Sequence, residues 1–219
     1  NPEAVKVRPK PSSGFQIAKP VRRGPVFEPA RRENDRERAR NVVDGSLATM
    51  KRTLSDVRLG RAVRLVEVTD LVDGIVGMVE RSPRTLLEIL RLKKKDEYTY
   101  LHSVAVCTLM VNVARHLGRS EEDVRDFGMA GLLHDIGKIG VDDRILRKEG
   151  RLTDEEFLQI QKHPMIGYKI LSGIKKLKNI LPGIRNHHEQ IDGRGYPDGL
   201  TGDDIPLMAR IIAVADAYD

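Results

Sequence analysis

Apolar residues that recur every three or four positions, with no sign of paired strands, constrain this chain more than any other feature. From about Asp35 the positions Val42, Val43, Leu47, Met50 and Leu54 repeat at that spacing as far as Gly60, the period of one buried helix face. A second helix follows with Val66, Leu71, Val72, Ile75, Val76 and Val79. Ser82-Pro83 stops it and supplies an N-cap and first-turn proline for a short helix burying Leu86, Leu87, Ile89 and Leu90. Aromatic residues make up only 4% of the chain and Trp is absent, so the core must be aliphatic. An all-α fold, helices packed on helices, is the expectation.

The remaining punctuation is helical too. A long helix is expected from about Asp96 to Leu117, ended by Gly118 with Arg115 and His116 in its last turn. Ser120 and Asp123 open the next, which ends at His134-Asp135. Thr153-Asp154-Glu155-Glu156 is a capping box whose helix reaches His163 and halts at Pro164, itself the start of another helix. A further helix runs to His187-His188. The glycines and proline of Asp192-Gly193-Arg194-Gly195-Tyr196-Pro197-Asp198-Gly199 then demand a tight loop, and Pro206 opens a final helix carrying Asp216.

Charge divides the chain unevenly. The net charge of +6 resides in residues 1–40, with 11 Lys or Arg against 5 Asp or Glu, while residues 41–219 carry 27 of each sign. A neutral body argues against a duplex nucleic-acid partner, which would need a basic face on the folded part. Residues 1–34 hold six of the eleven prolines and few large apolar side chains, so they read as a linker or extended arm. Because residue 1 is not Met, an upstream region is expected to have been cut away. No apolar run of about 18 residues crosses a membrane and no signal-peptide order is visible, so the expected compartment is the cytoplasm. Cys107, alone in an apolar helical pattern, reads as a small buried side chain.

The chemistry lies in histidines. Five of six, His102, His134, His163, His187 and His188, sit at helix positions beside apolar or acidic neighbours. His116 stands apart, because a continuous helix places it roughly 21 Å along the axis from His102. Adding Asp135 and Asp216 makes five imidazoles and two carboxylates, more than one four-coordinate zinc requires, so two divalent ions are the natural count. Adjacent helix residues diverge by about 100°, which a bridging carboxylate at Asp135 would reconcile. Two ions about 3.5–4 Å apart hold a hydroxide and clamp a phosphate, and Lys138 adds positive charge. Nitrogen and oxygen ligands without thiolate suit Fe or Mn, with Ni or Zn as alternatives.

These residues carry a resemblance. His102, HDIGK at 134–138, His163, HHEQIDGRGYP at 187–197 and ADAYD at 215–219 together resemble the bacterial HD-GYP phosphodiesterases, which hydrolyse cyclic di-GMP. The resemblance implies an HD-domain helical bundle over residues 96–219, preceded by a helical connector at 35–95. It also implies metal ligation by His102, His134, Asp135, His163, His187, His188 and Asp216, with Lys138 beside the scissile phosphate. Asp192, Arg194, Gly195, Tyr196 and Pro197 would shape the dinucleotide site. Tyr196 either stacks on a guanine or is structural, and Asp96 either meets a guanine edge or caps its helix. Tyr98 stands where some members place a Glu supporting a third ion, which keeps the expected count at two.

The implied reaction is attack of a metal-bridging hydroxide on cyclic di-GMP, giving pGpG, GMP or both. A hydrolase of another nucleotide is the nearest alternative, against which the Gly195-Tyr196-Pro197 loop argues. A cyclic-dinucleotide-responsive signalling module is another. The family pattern continues past ADAYD with a basic stretch, so residues 1–219 are expected to bind metal and turn over slowly. The helices before residue 95 suit either a joint to an upstream regulatory domain or signalling partner, or a homodimer contact.

Overall fold

The computed structural model describes residues 29–92 and 97–219. Ten α-helices run in order: α1 (Pro29–Arg58), α2 (Leu65–Arg81), α3 (Pro83–Leu90), α4 (Tyr98–His116), α5 (Glu121–Leu133), α6 (Asp143–Leu146), α7 (Asp154–Ile160), α8 (His163–Leu171), α9 (Leu181–Asn186) and α10 (Leu207–Tyr218). Short 3-10 turns at Ile136–Gly140, Lys175–Ile180 and Gly202–Asp204 join them. Among the described residues there is no strand, only isolated antiparallel bridges between His188 and Tyr196 and between Asp192 and Thr201. No helix among them is long and apolar enough to cross a membrane.

α4 is the axis of the bundle. Its residues Leu101 to Thr108 are all buried, apolar and polar alike, because α1, α2, α3, α5 and α10 all pack around it. A helix buried on every side needs apolar residues on every face, and Val104, Ala105, Val106, Cys107, Met110 and Val111 provide them. One continuous core then runs from Ala39 in α1 to Ala215 in α10. Burial alone pushes the Cys107 thiol pKa well above its ordinary range, so it is an inert core residue.

Three boundaries differ from the sequence expectation. α1 begins at Pro29, six residues before Asp35, since a proline is tolerated in a first helical turn. Val66 is 73% exposed, and the buried face of α2 starts at Val68. α7 does form the capping box at Thr153 and Glu156, but it stops at Ile160 instead of reaching His163, which opens α8.

Close backbone approaches set the position of the polar cluster. A Cβ on Gly131 would lie 2.8 Å from Met110 Cγ and 3.0 Å from the Cys107 main chain, so α5 lies against α4 just before His134. A Cβ on Gly137 would fall 1.9 Å from the His163 carbonyl oxygen and 2.5 Å from the Gly167 nitrogen. The turn after Asp135 is therefore pressed onto α8 backbone to backbone. Gly137→Ala is expected to cost about 3 kcal/mol, as overpacking that no side-chain movement relieves. Gly77→Ala, at an exposed position of α2 with nothing within 4 Å of the new carbon, should instead stabilise by about 0.5–1 kcal/mol. Thermal melts of the two variants check both signs.

Candidate metal centre

Three histidines share one device. His134 follows the last residue of α5, His163 follows the end of α7, and His187 follows α9. The last carbonyls of a helix have no amide partner within it, and each ring folds back onto one. Nδ1 of His134 lies 2.8 Å from the Gly131 oxygen, that of His163 2.7 Å from Ile160, and that of His187 2.7 Å from Ile184. Each Nδ1–H donates to the carbonyl three residues upstream. The Nε2 lone pair is left to face inward.

The inward nitrogens converge. Nε2 of His163 and His187 are 3.1 Å apart. His188 lies against both, with ring centroids 5.0 Å from His163 and 4.2 Å from His187. His134 is 5.3 Å from His187 and 5.5 Å from His102, which projects from the interior of α4. His116 stays exposed at the far end of that helix.

Asp135 links two ligand groups. Its Oδ1 is 3.3 Å from His163 Nε2, and its Oδ2 is 3.3 Å from His134 Nε2. The potential ligand atoms of Asp135, His163, His187 and His188 lie within 4.8 Å of one another, as do those of His102, His134 and Asp135. Asp216 joins the second group from α10, with Oδ1 2.9 Å from His102 Nε2 and 3.7 Å from His134 Nε2. Lys138, one turn after Asp135, pairs with its Oδ2. His134 Nε2 and Asp135 Oδ1 are buried without a hydrogen-bond partner. Such atoms are costly unless something charged lies between them, and with nitrogen and oxygen donors alone the set fits divalent transition metals.

The electrostatics agree with that fit. Burial, the largest influence on Asp135, opposes its ionisation, but His134, His163 and Lys138 outweigh it and hold the carboxyl well below its usual range. Asp216 is likewise held down against burial by His102 and His134. Burial pushes the His187 and His188 pKa values down, and neighbouring imidazoles add to it, His188 reaching about 4. Both offer neutral lone pairs at neutral pH. His134 is raised to about 10, because Asp135 and Asp216 outweigh the effect of burial. A cation held there by His134 would take the place of that proton.

The loop after α9 is held by residues that the motif reading passed over. Buried Glu189 accepts from the Asp198 amide at 2.7 Å and the Leu200 amide at 3.0 Å. Asp198 is gripped in turn by Arg185 at 2.7 and 2.6 Å and by Asn186 at 2.8 Å. Gly195 passes so close that a Cβ would lie 2.2 Å from the Gln190 nitrogen. Tyr196, joined to Pro197 by a cis peptide bond, stacks on His188 with centroids 4.9 Å apart. Burial, reinforced by Asp135 and Asp216, raises its phenol to about 12. The adjacency of Glu189 to the histidine pair was the available signal.

Asp192 and Arg194 pair with each other across Gly193, and the Arg194 side chain is 83% exposed. They sit on the solvent side of the loop. Asp96 lies outside the described residues. Asp219, also passed over, places Oδ2 2.9 Å from His102 Nδ1. Its spacing of three from Asp216, one residue past the end of α10, was the signal for it.

Comparison with known proteins identifies the family. The profile of the HD domain matches residues 84–219. A cyclic di-GMP phosphodiesterase of Pseudomonas aeruginosa is 48% identical over 165 residues, 75% of this chain and 40% of that protein. A cyclic di-GMP phosphodiesterase response regulator of Xanthomonas campestris is 44% identical over 144 residues, 64% of this chain and 38% of that protein. A 3′3′-cGAMP-specific phosphodiesterase of Vibrio cholerae is 42% identical over 125 residues, 57% of this chain and 27% of that protein. The chain thus spans two-fifths or less of the length of these relatives. With the profile covering well over half of its residues and the histidine and aspartate pair set at the centre of the bundle, the chain belongs to the HD-domain family.

Proposed function

We propose that this chain hydrolyses the phosphodiester bonds of cyclic di-GMP, giving pGpG, GMP or both, at a centre of two divalent metal ions, Fe or Mn in the first instance. The observation that carries this reading is Asp135, whose two oxygens face two separate histidine groups. His102, His134 and Asp216 would complete one half of the centre, and His163, His187 and His188 the other, with Asp135 common to both. Metal ions held there would lower the pKa of a water nucleophile toward neutrality and polarise the phosphoryl oxygens.

The chain's own residues supply the rest. Lys138 keeps a third of its side chain exposed while its ammonium lies against Asp135, a position from which it offsets charge developing on the phosphate. Tyr196 remains a neutral phenol at physiological pH and covers one face of His188, fixing that ligand and walling the site from water. Glu189 and Asp198 keep the loop at a constant distance from the imidazoles. Gly195, Tyr196 and Pro197 then bound the dinucleotide. Asp192 and Arg194 are placed to meet only its outer parts.

A second reading has a specific support. Relatives named as 3′3′-cGAMP-specific phosphodiesterases are 42% and 39% identical over 125 and 150 residues, which supports 3′3′-cGAMP as the alternative substrate. Regulation would enter through α1–α3, which share the core of α4, from an upstream domain or a second copy of the chain.

Three outcomes test the proposal. His134→Ala and Asp135→Ala should each lower cyclic di-GMP turnover by at least about 100-fold, and undiminished turnover by either sinks the assignment. Lys138→Met should keep its metal content and lose about 10²–10³ in kcat. Removal of metal by a chelator should abolish turnover, and anaerobic Fe(II) or Mn(II) should restore it. A kcat/KM for 3′3′-cGAMP above that for cyclic di-GMP would move the substrate to the second reading.

A further inference from the structure

We propose that Asp219 is the positioning residue of His102, so that one half of the metal centre is held by a carboxylate reaching over from α10 while the other half is held by main-chain carbonyls. The inference rests on the two-ion reading above and concerns how the two halves are built.

Four imidazoles of the cluster are buried: His102, His134, His163 and His187. Three turn Nδ1 onto the carbonyl three residues upstream, which is available because each ring follows a helix end. His102 is placed differently. It is the fifth residue of α4, where the carbonyls beneath it are taken by the helix's own amides. Its Nδ1 lies 2.9 Å from Asp219 Oδ2, a partner 117 residues away in sequence. Both side chains are about one-tenth exposed, at 10% and 11%, so solvent screens the pair little.

The consequence is specific to one half-site. An ionised carboxylate accepts a stronger hydrogen bond than a carbonyl does. It fixes the proton on Nδ1 and turns Nε2 toward Asp216, 2.9 Å away, and toward the group shared with His134 and Asp135. Asp216 and Asp219, three residues apart at the end of α10, thus address opposite nitrogens of one ring. Among the described residues, the His163 and His187 rings hydrogen-bond to main-chain carbonyls and to each other, none of them on α10. The affinity of the half-site of His163, His187 and His188 should not depend on Asp219.

The test reads metal binding and needs no turnover. Metal-free wild type, Asp219→Asn, Asp219→Glu and Tyr218→Ala are titrated anaerobically with Mn(II) or Co(II) against a chromophoric chelator, with melting curves to verify folding. For Asp219→Asn one of two binding steps should weaken about 10–100-fold while the other stays within about threefold of wild type. Asp219→Glu should recover most of the loss. Tyr218→Ala, which removes an exposed side chain at the same helix end, should leave both steps unchanged. Two unaltered steps in a folded Asp219→Asn protein overturn this inference alone. So does a Tyr218→Ala loss as large as that of Asp219→Asn, which would assign the effect to fraying of α10. Wild type without two binding steps overturns the two-ion reading and this inference together.

Discussion

The arrangement depends on a buried carboxylate surrounded by imidazoles. Asp135 and His134 sit where desolvation costs each charge several kcal/mol, and the polar atoms His134 Nε2 and Asp135 Oδ1 have no hydrogen-bond partner there. Such a centre exists in a folded protein only if the surrounding packing forces it together. α4 and α5 provide that force, because Gly131 lets their backbones meet one turn before His134. The apolar core is therefore the source of the strain that a bound cation would relieve.

Helix ends are the second half of the design. Placing a histidine just past a helix terminus solves two problems at once. The orphan carbonyl gains a donor, and the ring is fixed in the tautomer that leaves the Nε2 lone pair free to face the cluster. Three unrelated helices, α5, α7 and α9, end this way. Because the ring is tied to the main chain of its own helix, its direction follows the helix axis more than any neighbouring side chain. Shifts of surface loops should leave these three imidazoles in place.

The loop after α9 obeys a different rule. It has no regular ladder, so Glu189 substitutes for one by accepting two loop amides, and Asp198 closes the circuit through Arg185 and Asn186. Within one stretch, Arg185, Asn186 and Glu189 thus hold the loop, while His187 and His188 between them belong to the imidazole cluster. Tyr196 completes the coupling by stacking on His188. The loop and that imidazole are thereby in direct contact.

Much of this was legible in the chain itself. Helical periodicity and capping residues determine the all-α class, since they act over four residues and need no tertiary partner. The histidines and aspartates announce their chemistry because so many nitrogen and oxygen donors beside apolar residues have few other uses. Tertiary structure decided the rest. That Asp135 faces two groups at once, that His163 opens α8 instead of closing α7, that Glu189 binds loop amides 9 and 11 residues on, and that Asp219 meets His102 across 117 residues all depend on how the segments pack. Local patterns report what a residue can do, whereas which atoms meet within 3 Å is settled by the packing of whole helices around α4.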